Sequence, residues 1–228
     1  MRIGIIGAMR EEIEPILEKV GDFQKIEYAK NIYYQATFGE HELFIVYSKI
    51  GKVFSTVTAT VLIEKFGVEK VLFSGVAGGI SKDLKIGDLI YATKLSQHDL
   101  DITAFGHPHG FVPEGSVFVE SSSDLNRIAD EVATDLGVKL KSGIIASGDQ
   151  FVADPSRKSW IEKEFGADAV EMEGGSVAVV CDSLGIPFFI LRAISDTADD
   201  SADVDFDTFL QKSAKVSADF VLRMVEKL

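Results

Sequence analysis

The chain has 228 residues, 46% of them hydrophobic, with 20 Gly, 5 Pro and one cysteine; this length suits a single large domain, residues 1–228, that buries its own core. Its 36 acidic and 23 basic side chains leave a formal net charge of −13, which argues against a nucleic-acid partner, since phosphate backbones need clustered Lys and Arg. The lone Cys181 excludes an intrachain disulfide and fits a reducing, cytoplasmic setting, and no run approaches the roughly 18 apolar residues of a membrane span.

Short apolar runs alternate with segments of helical period. "RIGIIG" reads as a first strand, and Ile13, Ile16, Leu17 and Val20 follow at helical spacing until Gly21. The N-terminal run meets Glu11 and Glu12 too soon for a signal peptide. "ELFIVYSKIG" is a strand, residues 52–66 a helix ended by Gly67, and "KVLFSGVAGGI" a strand running into a glycine-rich turn. "GDLIYATKLSQHDLD" is another strand, and residues 102–116 form the longest expected loop. Asp124 is placed to cap a helix that runs to Gly137, and "SGIIASGDQFV" reads as strand into loop. Asp154 before Pro155 marks a further helix start. "ADAVEMEGGSVAVVCDSLG" reads as a strand turning into an apolar helix in which Cys181 is a small buried hydrophobe rather than a nucleophile. Residues 188–194 form the next strand, and the last helix carries Phe206, Phe209, Leu210, Phe220, Val221, Met224, Val225 and Leu228 on one side. Regular alternation of strand and helix predicts a three-layer α/β domain with a largely parallel sheet. In such sheets ligands bind beyond the carboxyl ends of the strands.

Those ends carry the chemistry. "GAMREE" lacks the G-x-G-x-x-G fingerprint and places Glu12 in a first helical turn, where the helix dipole alone would favour an acid. In "SGVAGG" the small residues Val76, Ala77 and Gly78 let a ligand approach the backbone, and no G-K-[ST] follows. In "VEMEGG" Glu171 and Glu173 flank Met172 between a buried strand and an apolar helix. The apolar strand at 188–194 contains Arg192, and Ser195 and Asp196 follow directly on it; charges there cost free energy unless paired or in use. Three carboxyl groups, Glu12, Glu173 and Asp196, at successive strand ends suit acid–base chemistry on a hydroxyl-rich substrate. His98, His107 and His109 match no zinc spacing and read as structural, so no metal is expected.

"IGIIGAMREE", "SGVAGG", "SGDQFV", "AVEMEG" and "RAISDTAD" occur in this order along the chain, which thereby resembles the bacterial 5′-methylthioadenosine/S-adenosylhomocysteine nucleosidases of the purine nucleoside phosphorylase superfamily. The resemblance implies a central mixed, partly closed β-sheet flanked by helices, a homodimer, no cofactor, and hydrolysis of the N-glycosidic bond of a 5′-substituted adenine nucleoside. It implies that Asp196 is the general acid at adenine N7, oriented by Ser195, and that Glu12, with Arg192 beside it, binds and activates water. It places Glu173 and Met172 at the ribose, Phe151 on the purine face and the Val152 backbone at the base edge. Met9, Ile50 and Phe206 would form an apolar 5′ pocket completed by Phe105 and Pro113 of a second subunit. Some members carry serine where this chain has Val76, so a side-chain contact to the water would be lost here.

A proton must reach N7 because adenine leaves poorly as an anion, and burial of Asp196 would keep it protonated. Two carboxyl groups with opposite protonation demands follow the general logic of glycoside hydrolysis. Two other readings are open: a phosphate-dependent phosphorylase, for which Glu12 would repel the nucleophile, and a non-catalytic nucleoside-binding domain, which would need only some of the three carboxylates. Within the nucleosidase reading the substrate range extends to 5′-deoxyadenosine and 6-amino-6-deoxyfutalosine.

Overall fold

The computed structural model describes residues 1–197 and 202–228, the side chains of residues 202–208 excepted. Its strands are β1 (Arg2–Gly7), β2 (Phe23–Tyr28), β3 (Asn31–Phe38), β4 (His41–Tyr47), β5 (Lys70–Gly79), β6 (Leu89–Gln97), β7 (Val119–Glu120), β8 (Leu140–Ser147), β9 (Ala169–Glu171) and β10 (Phe188–Asp196). The helices are α1 (Arg10–Val20), α2 (Lys52–Glu64), α3 (Ser123–Leu136), α4 (Pro155–Phe165), α5 (Gly174–Ser183) and α6 (Ala202–Glu226). All ten strands form one sheet ordered β10-β6-β8-β9-β5-β1-β4-β3-β2, with β7 on β6. An additional β10–β5 pairing closes β5, β10, β6, β8 and β9 into a ring. The sheet is therefore mixed and partly closed.

Alternation along the central strands explains the layers. Ile3 and Ile5 of β1, Leu43 and Ile45 of β4, and Phe189 and Leu191 of β10 face one way and pack with Ile13 and Ile16 of α1, Leu125 and Ala129 of α3, and Val221 and Met224 of α6. Ile6, Phe44, Val46, Phe73 and Ile190 face the other way and pack with Ala59 and Leu62 of α2 and Val177 and Cys181 of α5. Strands covered on both faces must be apolar throughout, and each fully buried Leu, Ile or Phe contributes about 1.5–3 kcal/mol. Cys181 is fully buried and its thiol is pushed up to about 12 by that burial, as its apolar setting implies.

The structure departs from the sequence reading in four places. Half of the strand pairings are antiparallel, among them β10–β6 and β5–β9, so the sheet is not largely parallel. The β2–β3 hairpin precedes the strand expected at "ELFIVYSKIG". The α3 cap is Ser122, whose hydroxyl accepts from the Leu125 amide, while Asp124 lies in the first turn. Ser195 and Asp196 are the last residues of β10 rather than residues beyond it. The Asp154 cap with Pro155 behind it forms as expected, its carboxylate accepting from the Ser156 amide at 2.8 Å.

One glycine shows how closely the strands receive the site. Gly75 of β5 lies opposite Arg192 of β10, and a Cβ built on it would sit 2.7 Å from Oε1 of Glu12. Gly75→Ala should cost about 1–3 kcal/mol through overpacking. Because the obstructing atom belongs to Glu12, that cost should largely disappear in a Glu12→Ala background. Urea unfolding of the four proteins in the cycle measures this coupling, and strictly additive costs would refute the contact.

Candidate active site

A cavity of about 480 Å³ opens where β1, β4, β5, β8, β9 and β10 end. Ala8, Met9 and Glu12 reach it from β1 and α1, Ile50 follows β4, and Val76, Ala77 and Gly78 come from β5. Gln150, Phe151 and Val152 follow β8; Val170, Glu171, Met172 and Glu173 come from β9 and the turn behind it; Ser195 and Asp196 end β10. The wall is mostly apolar, and against it stand three carboxyl groups that are 2–5% exposed: Asp196, Glu12 and Glu173.

Glu12 is more than an acid favoured by a helix dipole. Its Oε2 accepts from the amides of Ala8 at 2.6 Å and Met9 at 3.0 Å, and its Oε1 accepts from Val76 at 3.0 Å. Burial raises its pKa, opposed by the charge of Arg192 and by these amides. Glu173 precedes α5, and its Oε1 accepts from the Gly51 amide at 2.8 Å. Burial first, then the neighbouring Glu171 charge, push its pKa up to about 8. Asp196 Oδ2 accepts from the Ser195 hydroxyl at 2.8 Å.

Glu171 lines the cavity, yet its carboxylate serves as scaffold. Oε2 takes a hydrogen bond from Arg192 Nη2 at 2.6 Å and from the amides of Glu173 and Gly174 at 3.1 and 2.7 Å. Oε1 accepts from the Ser147 hydroxyl. Arg192, 1% exposed, is not part of the cavity wall. Its guanidinium lies over the Phe73 ring at 4.1 Å and donates to the Leu191 carbonyl at 3.0 Å, so it meets the cavity through Glu171.

Met9, Ile50, Val76, Ala77, Gly78, Phe151, Val152, Met172 and Ser195 are all brought to the wall. Phe105, 80% exposed, and Pro113 lie elsewhere, Pro113 in a separate hollow of about 320 Å³. The side chain of Phe206 lies outside what the structure describes. Ala8, Gln150 and Val170 line the cavity without having been singled out; Gln150 stands inside the "SGDQFV" segment, whose position after a strand was the available signal. Ser147 and Gly51, which hold Glu171 and Glu173, carried no signal, because a serine and a glycine at strand ends have many ordinary uses. His98 is buried and accepts at Nδ1 from Arg157 at 3.0 Å, a structural role; burial and then Arg157 push its pKa down to about 4.

The family model described as "Phosphorylase superfamily" matches residues 2–226. The chain is 58% identical over 228 residues, all of both chains, to an aminodeoxyfutalosine nucleosidase of Campylobacter jejuni. It is 36% identical, again over the whole of both chains, to a 5′-methylthioadenosine/S-adenosylhomocysteine nucleosidase of Actinobacillus succinogenes. A crystal structure of a 5′-methylthioadenosine/S-adenosylhomocysteine nucleosidase from Helicobacter pylori with butyl-thio-DADMe-Immucillin-A superposes with a TM-score of 0.99 at 54% identity, covering 100% of this chain and 99% of that one. Fold, motif order and full-length similarity agree: this chain belongs to the nucleosidases of the phosphorylase superfamily.

Proposed function

We propose that this protein hydrolyses the N-glycosidic bond of adenine nucleosides substituted at the 5′ carbon and releases adenine. The observation that carries this reading is the convergence of Glu12, Glu173 and Asp196, all buried, on one largely apolar cavity. An apolar wall suits a purine and a 5′ substituent, and three carboxyl groups suit the acid, the base and the ribose contact that glycoside hydrolysis needs.

Asp196 delivers a proton to adenine N7, and the Ser195 hydroxyl on Oδ2 fixes its orientation. As the bond to C1′ breaks, positive charge grows on the ribose, and Glu173, accepting the ribose hydroxyls, faces that charge. Glu12 receives the proton of the attacking water. Its Oε2 already accepts two amides and its Oε1 only one, which leaves an acceptor position on Oε1 for that water. Burial raises the proton affinity of Glu12 and makes it the better base. Arg192 acts from behind, by holding Glu171 and through it the Glu173 turn.

The 58% identity to a protein named aminodeoxyfutalosine nucleosidase, against 36% for one named for methylthioadenosine and S-adenosylhomocysteine, favours 6-amino-6-deoxyfutalosine as a substrate alongside 5′-methylthioadenosine. On this reading the protein acts in the cytoplasm and serves menaquinone biosynthesis as well as methionine salvage. The protein works as a homodimer. Val53, Phe54 and Val57 of α2 are 71%, 50% and 44% exposed, and Ile50 beside them is 55% exposed; a second copy laid on this face would cover them and bring its Phe105 and Pro113 to the open 5′ end.

Asp196→Asn should lower adenine release from 5′-methylthioadenosine, without phosphate, by ~10²–10⁴-fold, at least ~3 kcal/mol of barrier, with circular dichroism unchanged. Near-normal turnover would remove the acid from Asp196, and release that depends on added phosphate would make the protein a phosphorylase. Glu173 supplies a pH test without substrate. Its proton affinity is higher folded than unfolded, so its stabilising contribution is complete below the ordinary carboxylate range and is lost as pH rises through about 8. The Tm of the unliganded wild type should therefore fall relative to that of Glu173→Gln as pH rises from about 5 to about 8; a constant difference would contradict the raised affinity. Val53→Glu should yield a monomer in sedimentation with weakened substrate binding, and an unaltered dimer would place the interface elsewhere.

A further inference from the structure

Outside the cavity, three charged side chains from three separate segments meet at one point. Lys52 opens α2, Asp99 lies just beyond β6, and Asp149 stands in the loop after β8. Lys52 Nζ pairs with Asp99 Oδ1 at 2.6 Å, each side chain 18% exposed, and also donates to Gln97 Oε1 at 3.2 Å. Asp99 Oδ2 accepts from the Asp149 amide at 2.9 Å, and Asp149 Oδ1 accepts from the Lys52 amide at 2.8 Å. The cluster closes on itself and joins two segments 97 residues apart in sequence.

Both segments are walls of the cavity. The 50–52 turn presents Ile50 and aims the Gly51 amide at Glu173 Oε1, 2.8 Å away. The 148–152 loop presents Gln150, Phe151 and Val152. Gly51 has φ of 97°, and a Cβ on it would lie 3.0 Å from Asp149 Oδ1, so only glycine lets the turn sit this close to the aspartate. Behind the turn, the Ser55 and Ser176 hydroxyls lie 2.7 Å apart, and Ser176 donates to the Glu173 carbonyl at 2.7 Å. These hydroxyls tie α2, behind the turn, to the residue that the Gly51 amide faces.

We infer that Lys52, Asp99 and Asp149 are positioning residues: they fix the Gly51 amide on the ribose carboxylate and lock the base-contacting loop to the same turn, so that the ribose and base walls of the site form one rigid unit. This rests on the nucleosidase reading for its consequences in catalysis, but the locking itself does not. Preorganised walls reduce the ordering that binding would otherwise require. Glu173 faces Glu171 of β9, Glu12 of α1, Arg192 of β10 and the Gly51 amide. Of these, the Gly51 hydrogen bond and Arg192 favour its ionised form, and releasing the turn removes the first of the two.

The test uses Lys52→Met, Asp99→Asn and Lys52→Arg in the full chain. Lys52→Met should raise KM for 5′-methylthioadenosine at least about tenfold while kcat changes less than about threefold, since the walls bind rather than react. The acid limb of its kcat/KM profile should move to higher pH. Asp99→Asn, which keeps a single acceptor oxygen, should fall between, and Lys52→Arg, which keeps the charge, should restore most of the loss. Amide hydrogen exchange without substrate should speed up in Lys52→Met at residues 51–52 and 150–152 together, at unchanged global Tm. An unchanged KM and pH profile in Lys52→Met and Asp99→Asn, or exchange unaltered in both segments, would overturn the inference. If the wild type released no adenine, the functional reading would fall, and hydrogen exchange alone would decide whether the lock exists.

Discussion

Arg192 sits in the middle of β10 between Leu191 and Ala193, buried to 1% exposure, and the geometry of the site depends on how its charge is answered. The guanidinium has Glu171 on one edge, the Leu191 carbonyl on another and the Phe73 ring across its face. Such a buried pair adds little net stability over an apolar pair of the same shape, yet removing one partner costs about 3–5 kcal/mol. Its value lies in specification. Glu171 ends β9 and Arg192 belongs to β10, two strands that both pair with β5, so the ion pair couples the two strand ends that deliver Glu173 and Asp196. The oxygen that meets Arg192 also takes the amides of Glu173 and Gly174, and so the same contact sets where α5 begins and where the Glu173 side chain points.

That arrangement leaves an electrostatic imbalance. Glu12, Glu171 and Glu173 all lie within the influence of Arg192, whose closest partner is Glu171. Burial then raises the proton affinities of Glu12 and Glu173. Such groups are poised to hold protons or to meet positive charge. Under the proposed roles, a ribose acquiring oxocarbenium character would supply that charge transiently, so the site would gain most from its carboxylates when the bond is partly broken, which is what acceleration requires.

The sequence carried the strands that are buried on both faces, because their apolar runs have no other explanation, and it carried the location of the carboxyl groups at their ends. It did not carry β2 and β3. The run "FQKIEY" is almost wholly exposed, and the turn joining it to β3 is built on Ala29 and Lys30 at φ of 49° and 57°, residues that give none of the Asn-Gly or Asp-Gly signal such turns usually show. Strand direction was equally hidden, since an apolar run covered on both faces reads the same whether its neighbour is parallel or antiparallel. Glu12 looked like any acid in a first helical turn; only the backbone of β5, folded against it through Gly75 and Val76, distinguishes it. Glu171 and Glu173 looked alike in sequence, and their different duties follow from which of them meets Arg192.

The same geometry bears on the choice of nucleophile. The amides of Ala8 and Met9 at the start of α1, together with that of Val76, form the kind of donor cluster that binds phosphate at helix N-termini. In this protein the Glu12 carboxylate already occupies it. A phosphate at the cavity would find those donors engaged and a carboxylate in their place. At about 4 Å, and with an effective dielectric near 20, each pair of like unit charges costs on the order of 4 kcal/mol. Arg192 offers no relief, since its charge is held by Glu171 behind the wall. Water carries no charge and needs one acceptor, and the acceptor position left on Glu12 Oε1 suits it. Under the proposed role of Glu12, an internal carboxylate seated on these amides favours water over phosphate as the nucleophile.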